Sequence, residues 1–376
     1  MKILFICGSF ERGKDGVGDY TRKLAAEAIR NGNICEIIAL MDKFIQIETE
    51  ENQFENEISI KVLRLPFIHG LKKNGAKTVK WISNRKIYWI SLQYVPFSFD
   101  KRGIHIGLTD IIYKLKFKSK LHIMVHELWV GRGKEISTKQ NLLSIVQEKL
   151  INQFLKSVKP DLVHTHLPIF KLYLSRIGIS SLPLNIFSNI NQFTESAFEI
   201  SESFFVMAFF SQIEMSEKII VFVNDLCKKL KTRSLYCKLL IIGGRKEKNL
   251  LINNEFKVKC PLLDEIVYTD FLEEMEVSKT IASCDLGITP IPHHALGKSG
   301  SIATFFLHGV PVAAPIWEDK YFKYGLGFFD TLLQEAILYK PDLDSLLFSK
   351  IAARKSKEIV NIMNVGTKFC ADLLAN

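Results

Sequence analysis

The five-residue segment Gly297–Ser301 carries the residue types that most directly suggest chemistry. Its sequence is Gly-Lys-Ser-Gly-Ser, and it is followed by a short apolar stretch with helical spacing. A polar turn at a helix start presents backbone N–H groups at the positive end of the helix dipole, which attracts phosphate. Lys298 would add a cation, Ser299 and Ser301 would add hydroxyls, and Gly300 would leave room. The segment therefore predicts a phosphate-binding turn.

A second glycine-containing turn, Gly16-Val17-Gly18, lies near the other end of the chain. Small residues there would let the backbone approach a phosphate or a sugar, and a plain strand-to-helix turn is the alternative. Asp19 is typical of a helix N-cap, for a helix starting at Tyr20. Two such turns on two α/β units suggest a nucleotide-type ligand held in a cleft between domains.

Histidines recur at the ends of predicted strands. His126 and Glu127 follow an apolar strand, at the sheet edge where ligands bind in open parallel sheets. A histidine satisfied by backbone and a solvated glutamate are the alternatives. His164 and His166 alternate with Val163 and Thr165, so both point to one sheet face. No third ligand is placed near them, so no metal site is predicted.

Alternating strands and helices must position these residues. Apolar runs predict a first series of strands at 2–7, 35–40, 58–65, 87–92, 121–126 and 161–165, with helices at 20–30, 139–157 and 168–177. A second series has strands at 204–210, 238–242, 266–268, 286–290 and 311–314, helices at 217–231 and 274–283, and helical material at 343–375. This alternation predicts an α/β protein of two doubly wound Rossmann-like domains that face each other across a cleft. We expect domains at 1–190 and 191–376, with the last helix packing back on the first domain.

Composition narrows the class of protein. The chain has 376 residues, 47% hydrophobic and 24% charged, which fits two globular domains. The net charge is +10, and basic residues interleave with aromatic ones at 72–89 and 113–120. Such patches suit an anionic membrane surface, and no recognisable nucleic-acid module accompanies them. Seven scattered cysteines without CxxC spacing fit a reducing, cytoplasmic setting. No run reaches the roughly 20 apolar residues of a membrane span.

Five motifs in register resemble family 4 glycosyltransferases. They are Gly16–Ala25 after the first strand, Asp161–His166, Leu239–Gly244, Ile281–Pro290 and Gly309–Val312. Two further segments, Ser91–Phe97 and Val125–Trp129, resemble a bacterial surface-polysaccharide branch of that family. The resemblance covers nearly the whole chain. It implies the GT-B fold and transfer of a sugar from a nucleotide-diphosphate donor, with neither a metal nor a cofactor.

The resemblance also assigns roles to residues. His126 would face the donor sugar or its β-phosphate, and Glu127 would orient His126 or bind an acceptor hydroxyl. The donor side would include Gly16, Gly18, Gly243 and Arg245. A solvated side chain is an equally good account of Arg245. The acceptor side would include Asp19, Tyr20, Gln93 and Tyr94, and packing with edge hydrogen bonding is an equally good account of the last two.

The chain departs from that family at the donor site. The positions of the family's glutamate pair fall on Leu296 and Thr304. The Arg expected after the strand at 204–210 is absent, and Lys218 is a weak substitute for the expected Lys. The turn at Lys298 is a candidate for a rebuilt diphosphate site.

We therefore expect a retaining glycosyltransferase that extends a glycan or lipid-linked glycan for a polysaccharide, peripheral to the inner face of the cell membrane. The alternative is a catalytically inactive relative that serves as a binding or scaffold partner in glycan assembly.

Overall fold

The computed structural model describes residues 1–129, 137–193, 203–243, 255–318 and 327–376. Its contacts divide the chain into two compact units. The N-terminal unit comprises Met1–His166, Phe170–Leu184 and Gly366–Asn376. The C-terminal unit comprises Leu167–Ile169 and Asn185–Val365.

An eight-stranded sheet forms the centre of the N-terminal unit. Its strands are β1 (Lys2–Cys7), β2 (Ile34–Asp42), β3 (Thr49–Glu55), β4 (Ile58–Pro66), β5 (Trp89–Tyr94), β6 (Lys120–Val125), β7 (Leu162–Thr165) and β8 (Leu182–Pro183). The spatial order is β3-β4-β2-β1-β5-β6-β7-β8, and all pairs are parallel except β3 with β4. The order reverses between β1 and β5, as in a doubly wound sheet.

Helices accompany this sheet. They are α1 (Gly16–Arg30), α2 (Gly70–Ile82), α3 (Pro96–Phe99), α4 (Leu108–Lys116), α5 (Thr138–Val158) and α6 (Pro168–Arg176). Helix α1 begins at Gly16, four residues before the start that the sequence predicts. Its N-cap is Asp15, whose carboxylate accepts a 2.8 Å hydrogen bond from the Gly18 N–H. The cap predicted at Asp19 is therefore wrong, because an earlier carboxylate already satisfies the first turn.

Strand β3 is absent from the sequence prediction because its sequence reads as an acidic run. Glutamates of this strand form ion pairs with basic residues. Glu50 Oε1, for example, lies 2.7 Å from Lys61 Nζ on β4. The connection to β4 is a two-residue turn, and both Asn56 and Glu57 have positive φ, at 44° and 66°. Part of the basic patch at 72–89 is neutralised by this run, since Lys77 pairs with Glu48.

The C-terminal unit has a second, fully parallel sheet of six strands. They are β9 (Phe204–Phe210), β10 (Tyr236–Ile242), β11 (Glu265–Tyr268), β12 (Leu286–Ile288), β13 (Val312–Ala313) and β14 (Ile337–Leu338). The spatial order is β11-β10-β9-β12-β13-β14, with the reversal between β9 and β12. The remaining helices are α7 (Glu217–Lys231), α8 (Glu274–Ala282), α9 (Gly300–Leu307), α10 (Thr331–Glu335), α11 (Leu343–Lys355) and α12 (Ile362–Ala375).

The parallel strands of both sheets are apolar because they are covered on both faces, and their side chains form the two cores. In the N-terminal unit, Phe5 on β1 is fully buried and its ring centre lies 5.8 Å from that of Phe369 on α12. In the C-terminal unit, Phe305 on α9 packs so closely on β12 that a Cβ at Gly287 would lie 2.7 Å from its ring. All seven cysteines are buried and free. Among the described helices, none is long and apolar enough to cross a bilayer.

Candidate functional site

Three neighbouring parallel strands bring polar side chains to the carboxyl edge of the N-terminal sheet. Gln93 is the penultimate residue of β5, His126 follows β6 directly, and His166 follows β7. The backbone N–H of His126 donates to the carbonyl oxygen of Tyr94 at 3.1 Å, which fixes where the chain leaves the sheet. This edge lies beside the reversal of strand order, the usual ligand position in doubly wound sheets.

The two imidazoles at this edge contact each other. His126 Nδ1 lies 3.2 Å from His166 Nε2, and His126 Nε2 lies 3.0 Å from Gln93 Oε1. His166 Nδ1 donates to the carbonyl oxygen of Leu184 at 2.8 Å. The ring of Tyr20 stands edge-on to both, with centres 4.8 Å and 5.4 Å away. His126 and His166 are 7% and 2% exposed, so both rings are held in one orientation.

Gln93 and His126 thus form one cluster, but Tyr94 does not join it. Successive strand residues face opposite sides of a sheet, so Tyr94 points away from Gln93. Its ring stacks on Phe154 with centres 5.5 Å apart, and its hydroxyl contacts His105 Nε2 at 2.5 Å. The sequence left a packing role open for Tyr94. The structure places its side chain in the core, fully buried.

The residues of the first glycine turn have distinct environments. A Cβ at Gly18 would lie 2.7 Å from the backbone oxygen of Ser9, whereas nothing lies within 4 Å of one at Gly16. Gly18 is therefore required by close packing of α1, whereas a side chain at the exposed Gly16 would meet only open space. Asp19 accepts a hydrogen bond from the Gly13 N–H at 3.0 Å and pairs with Arg22. Glu127 is half-buried beside His126.

The carboxyl edge of the C-terminal sheet carries a separate group of residues. Gly243 ends β10 with φ +74°, and its N–H donates to Thr269 Oγ1 at 3.1 Å. The exposed Lys218 donates to the carbonyl oxygen of Trp317 at 2.6 Å. Trp317 stacks on the buried imidazole of His293, with ring centres 4.0 Å apart. Arg245 lies outside the described residues.

The polar segment Gly297–Ser301 leads into α9, whose first two residues are Gly300 and Ser301. Ser299 is the N-cap, and its hydroxyl accepts from the Ile302 N–H at 3.3 Å and lies 3.0 Å from the Ser301 hydroxyl. The Ser299 hydroxyl is therefore engaged within the turn. The N–H groups of Gly300 and Ser301 lie in the first turn, where an α-helix offers no partner for them. Lys298 is half-buried just before the cap.

The two positions that align with the family's glutamates lie in the core. Leu296 is fully buried, and Thr304 is 1% exposed. The Thr304 hydroxyl donates to the Gly300 carbonyl oxygen at 2.8 Å and lies 3.0 Å from the Ser188 hydroxyl, which donates to it. A glutamate carboxylate at either position would be buried, and none of these contacts supplies a cation to pair with it. Leucine and threonine therefore suit these buried positions better than glutamate.

Sequence reasoning singled out His164 but missed its partners His122 and Ser91, which lie behind the edge histidines. His122 on β6, His164 on β7 and Ser91 on β5 are fully buried, yet each hydrogen-bonds to another polar side chain. The signal was their even spacing from the edge residues, because residues two or four apart on a strand share a face. In the described part of the chain, no three His, Cys, Asp or Glu side chains are placed to hold a metal ion.

Comparison with solved structures finds chain-long similarity to glycosyltransferases. Sucrose-phosphate synthase from Thermosynechococcus elongatus has a TM-score of 0.64 at 11% identity, covering 100% of this chain and 98% of that one. WaaG, a glycosyltransferase involved in lipopolysaccharide biosynthesis, has a TM-score of 0.60 at 12% identity, with 100% of both chains covered. The catalytic domain of starch synthase IV from Arabidopsis thaliana, bound to ADP and acarbose, has a TM-score of 0.54 at 10% identity, again over 100% of both. No protein-family model matches the chain, and no curated protein matches its sequence.

At these identities the similarity establishes the fold. The chain has the GT-B fold of two Rossmann-like domains, and the fold predicted from the sequence is confirmed.

Proposed function

We propose that this protein is a glycosyltransferase that moves a sugar from a nucleotide-diphosphate donor to a glycan or lipid-linked glycan acceptor, with retention at the anomeric carbon. The observation that carries the proposal is the placement of His126, in contact with His166, at the carboxyl edge of a Rossmann-like sheet in a GT-B chain. Imidazole at such an edge can stabilise a departing phosphate or move a proton.

The donor would bind the C-terminal unit. Its carboxyl edge offers the backbone at Gly243, the cation of Lys218 and the aromatic face of Trp317. The helix start at Gly300, preceded by Lys298, would neutralise a diphosphate, since N–H groups and a lysine favour anions there. The similar catalytic domain of starch synthase IV is bound to ADP, which supports a nucleoside diphosphate as the ligand class.

The acceptor would bind the N-terminal unit, near Asp19, Tyr20, Gln93 and Glu127. Among the similar structures, WaaG acts in lipopolysaccharide biosynthesis, which supports a polysaccharide or lipid-linked acceptor. The basic patches at 72–89 and 113–120 would hold the protein near anionic lipid, although Lys77 and Lys116 are already engaged in ion pairs with Glu48 and Asp161.

A second function has one observation in its favour. Because the glutamate positions are occupied by the buried Leu296 and Thr304, the chain would suit a binding or scaffold partner that holds a nucleotide or glycan without transferring sugar.

A melting screen separates binding from non-binding. The purified protein would be melted with UDP, GDP, ADP, CMP and their sugar conjugates. A ligand at 100 times its dissociation constant adds about 2.7 kcal/mol to native-state stability. We expect one nucleoside diphosphate and its sugar conjugates to raise the melting temperature. The absence of a shift with every ligand would contradict the proposed donor site.

A further inference from the structure

A continuous line of hydrogen-bonded side chains runs through the interior of the N-terminal unit, from the last helix to the edge histidines. The links join residues of strands β5, β6 and β7, of the loops that follow β6, β7 and β8, and of helix α12. Every member is buried apart from the half-buried Asp372 on α12. In order, the line consists of Asp372, His164, His122, Ser91, Gln93, His126, His166 and the carbonyl oxygen of Leu184.

The first half of the line has one consistent set of donors. Asp372 Oδ2 lies 3.0 Å from His164 Nε2 and also accepts from Lys368 Nζ at 2.7 Å. Burial raises the pKa of Asp372, but the hydrogen bonds from His164 and Lys368 outweigh that effect and lower it. The ionised carboxylate requires a donor, so His164 carries its proton on Nε2 and presents a bare Nδ1 to His122 Nε2, 3.0 Å away.

The same logic continues along β6 and β5. His122 Nε2 donates to His164, so its Nδ1 accepts from the Ser91 hydroxyl at 2.8 Å. Burial first, and then the neighbouring His164 and His126, hold the pKa of His122 well below its usual value, so this ring is neutral. The Ser91 oxygen accepts from Gln93 Nε2 at 2.8 Å. Gln93 then presents its oxygen to His126, whose proton must lie on Nε2.

The other end of the line also requires a donor. The carbonyl oxygen of Leu184 can only accept, so His166 carries its proton on Nδ1. When all the rings are neutral, neither His126 Nδ1 nor His166 Nε2 carries a proton. At the contact between these two nitrogens, two lone pairs therefore face each other. That contact, at 3.2 Å, is the longest of the seven. Counted over the contacts of this line alone, seven contacts are served by six protons, and one further proton at the contact between His126 and His166 would complete the line.

We propose that Asp372, acting through His164, His122, Ser91 and Gln93, sets the tautomer of His126 and leaves its Nδ1 facing His166 as the acceptor for one proton. Asp372 is then a positioning residue, since it acts on His126 only through the line. The tautomers follow from the contacts alone, and their catalytic use rests on the proposed function. There, a proton held between His126 and His166 would give this edge of the N-terminal sheet a positive charge, which stabilises a departing phosphate.

Titratable groups lie at both ends of the line, and the charged ones at the Asp372 end support this direction. Lys368 and Asp372 face His164 from α12, Tyr20 faces the edge pair from α1, and Glu127 adjoins His126 in the chain. The reversed line would point a bare His164 Nε2 at the Asp372 carboxylate, which costs more than two neutral nitrogens facing each other.

The test is the protonation state of each ring nitrogen, read by NMR of ¹⁵N-histidine-labelled full-length protein at a pH above the histidine range. We expect Nε2–H on His122, His164 and His126 in the wild type. Asp372→Ala removes the carboxylate at one end of the line, which leaves six contacts for six protons. Each contact can then have one proton if donor and acceptor change places along the line from His164 to His126. His122, His164 and His126 should then all show Nδ1–H.

Ser91→Ala divides the line and keeps the proposal testable if Asp372→Ala does not fold. His126 should then change to Nδ1–H, because Gln93 is free to donate to it, while His122 and His164 keep Nε2–H. The matched control Lys368→Gln removes a partner of Asp372 but no member of the line, so the wild-type pattern should persist.

An unchanged tautomer of His126 in both Asp372→Ala and Ser91→Ala would overturn the proposal. These spectra need no substrate. The expected pattern in a protein that transfers no sugar would contradict only the proposed function, and an active enzyme with unchanged tautomers would contradict only the line.

Discussion

His126 Nδ1 lies 3.2 Å from His166 Nε2, and the two rings belong to loops that leave neighbouring strands of one sheet. Each ring is fixed from its other side, His126 by Gln93 and His166 by the carbonyl oxygen of Leu184. Held this way, the pair can take or release a proton without a change of ring orientation, which is the property required of a catalytic imidazole.

Replacing His126 should therefore remove most sugar transfer. General acid–base groups contribute roughly 10²–10⁴-fold to rate, so His126→Ala should lower kcat by at least about 10²-fold. Donor affinity should change little, since the donor is expected on the C-terminal unit. The matched control is His69→Ala, a half-buried histidine on the 3-10 turn before α2, which should keep full activity. A kcat within a few-fold of wild type would exclude His126 from the reaction.

The two glycines before Asp19 should respond differently to an added methyl group. Gly18→Ala places a Cβ against the backbone of Ser9 and Phe10, and should destabilise the fold by about 1–3 kcal/mol through overpacking. Gly16→Ala meets nothing and should leave stability unchanged or slightly raised. Urea unfolding of the two variants checks this. Equal stabilities would show that α1 does not pack on residues 9–10 as described.

The fold was largely predictable because buried parallel strands are continuous apolar runs. Strands at Lys2–Cys7 and Phe204–Phe210 fall where the sequence predicts them. Strand β3 was missed because its glutamates are stabilised by bases elsewhere in the chain, such as Lys61, which no local pattern reveals. The start of α1 was misplaced because the two glycines resemble a loop, whereas both lie inside the helix, which begins after its cap Asp15.

The candidate site was predictable only in part. Strand ends can be read from a sequence, and the structure brings Gln93, His126 and Tyr20 together as strand ends and a neighbouring helix should. Which side of a strand a residue faces depends on register, and this separates Tyr94 from Gln93. The contact between His164 and Asp372 joins residues 208 positions apart, so no spacing in the sequence could indicate it.

Lys298 should contribute to diphosphate affinity if the turn before α9 is a rebuilt donor site. A hydrogen bond to a charged group is worth about 1.5–3 kcal/mol, so Lys298→Ala should weaken nucleoside-diphosphate binding roughly 10- to 100-fold. Isothermal titration calorimetry measures this directly. Lys279→Ala, an exposed lysine on α8 paired with Glu276, is the matched control and should bind as the wild type does. Unchanged affinity in Lys298→Ala would remove the turn from the donor site.

Buried neutral histidines should make the protein sensitive to mild acid. Desolvation lowers the pKa values of His105, His122, His164 and His308, so these rings are neutral in the folded chain and gain protons on unfolding. The free energy of unfolding is unaffected by these rings above their unfolded pKa of about 6.5. It falls as pH drops below that value, by up to about 1.4 kcal/mol per pH unit for each ring. Urea unfolding from pH 7.5 to pH 5.5 should show this loss. In His122→Asn the free energy of unfolding should fall less over the same pH range. The same fall in both proteins would show that His122 is not a buried neutral ring.

The most direct measurement is turnover of the donor. Full-length protein would be incubated with the nucleotide sugar selected by melting and with lipid-linked glycan acceptors, and nucleoside-diphosphate release and labelled-sugar transfer would be followed together. The account predicts acceptor-dependent release that His126→Ala abolishes and His69→Ala leaves unchanged. Tight donor binding with neither release nor transfer, across donors and acceptors, would contradict it and identify the chain as a binding partner without transferase activity.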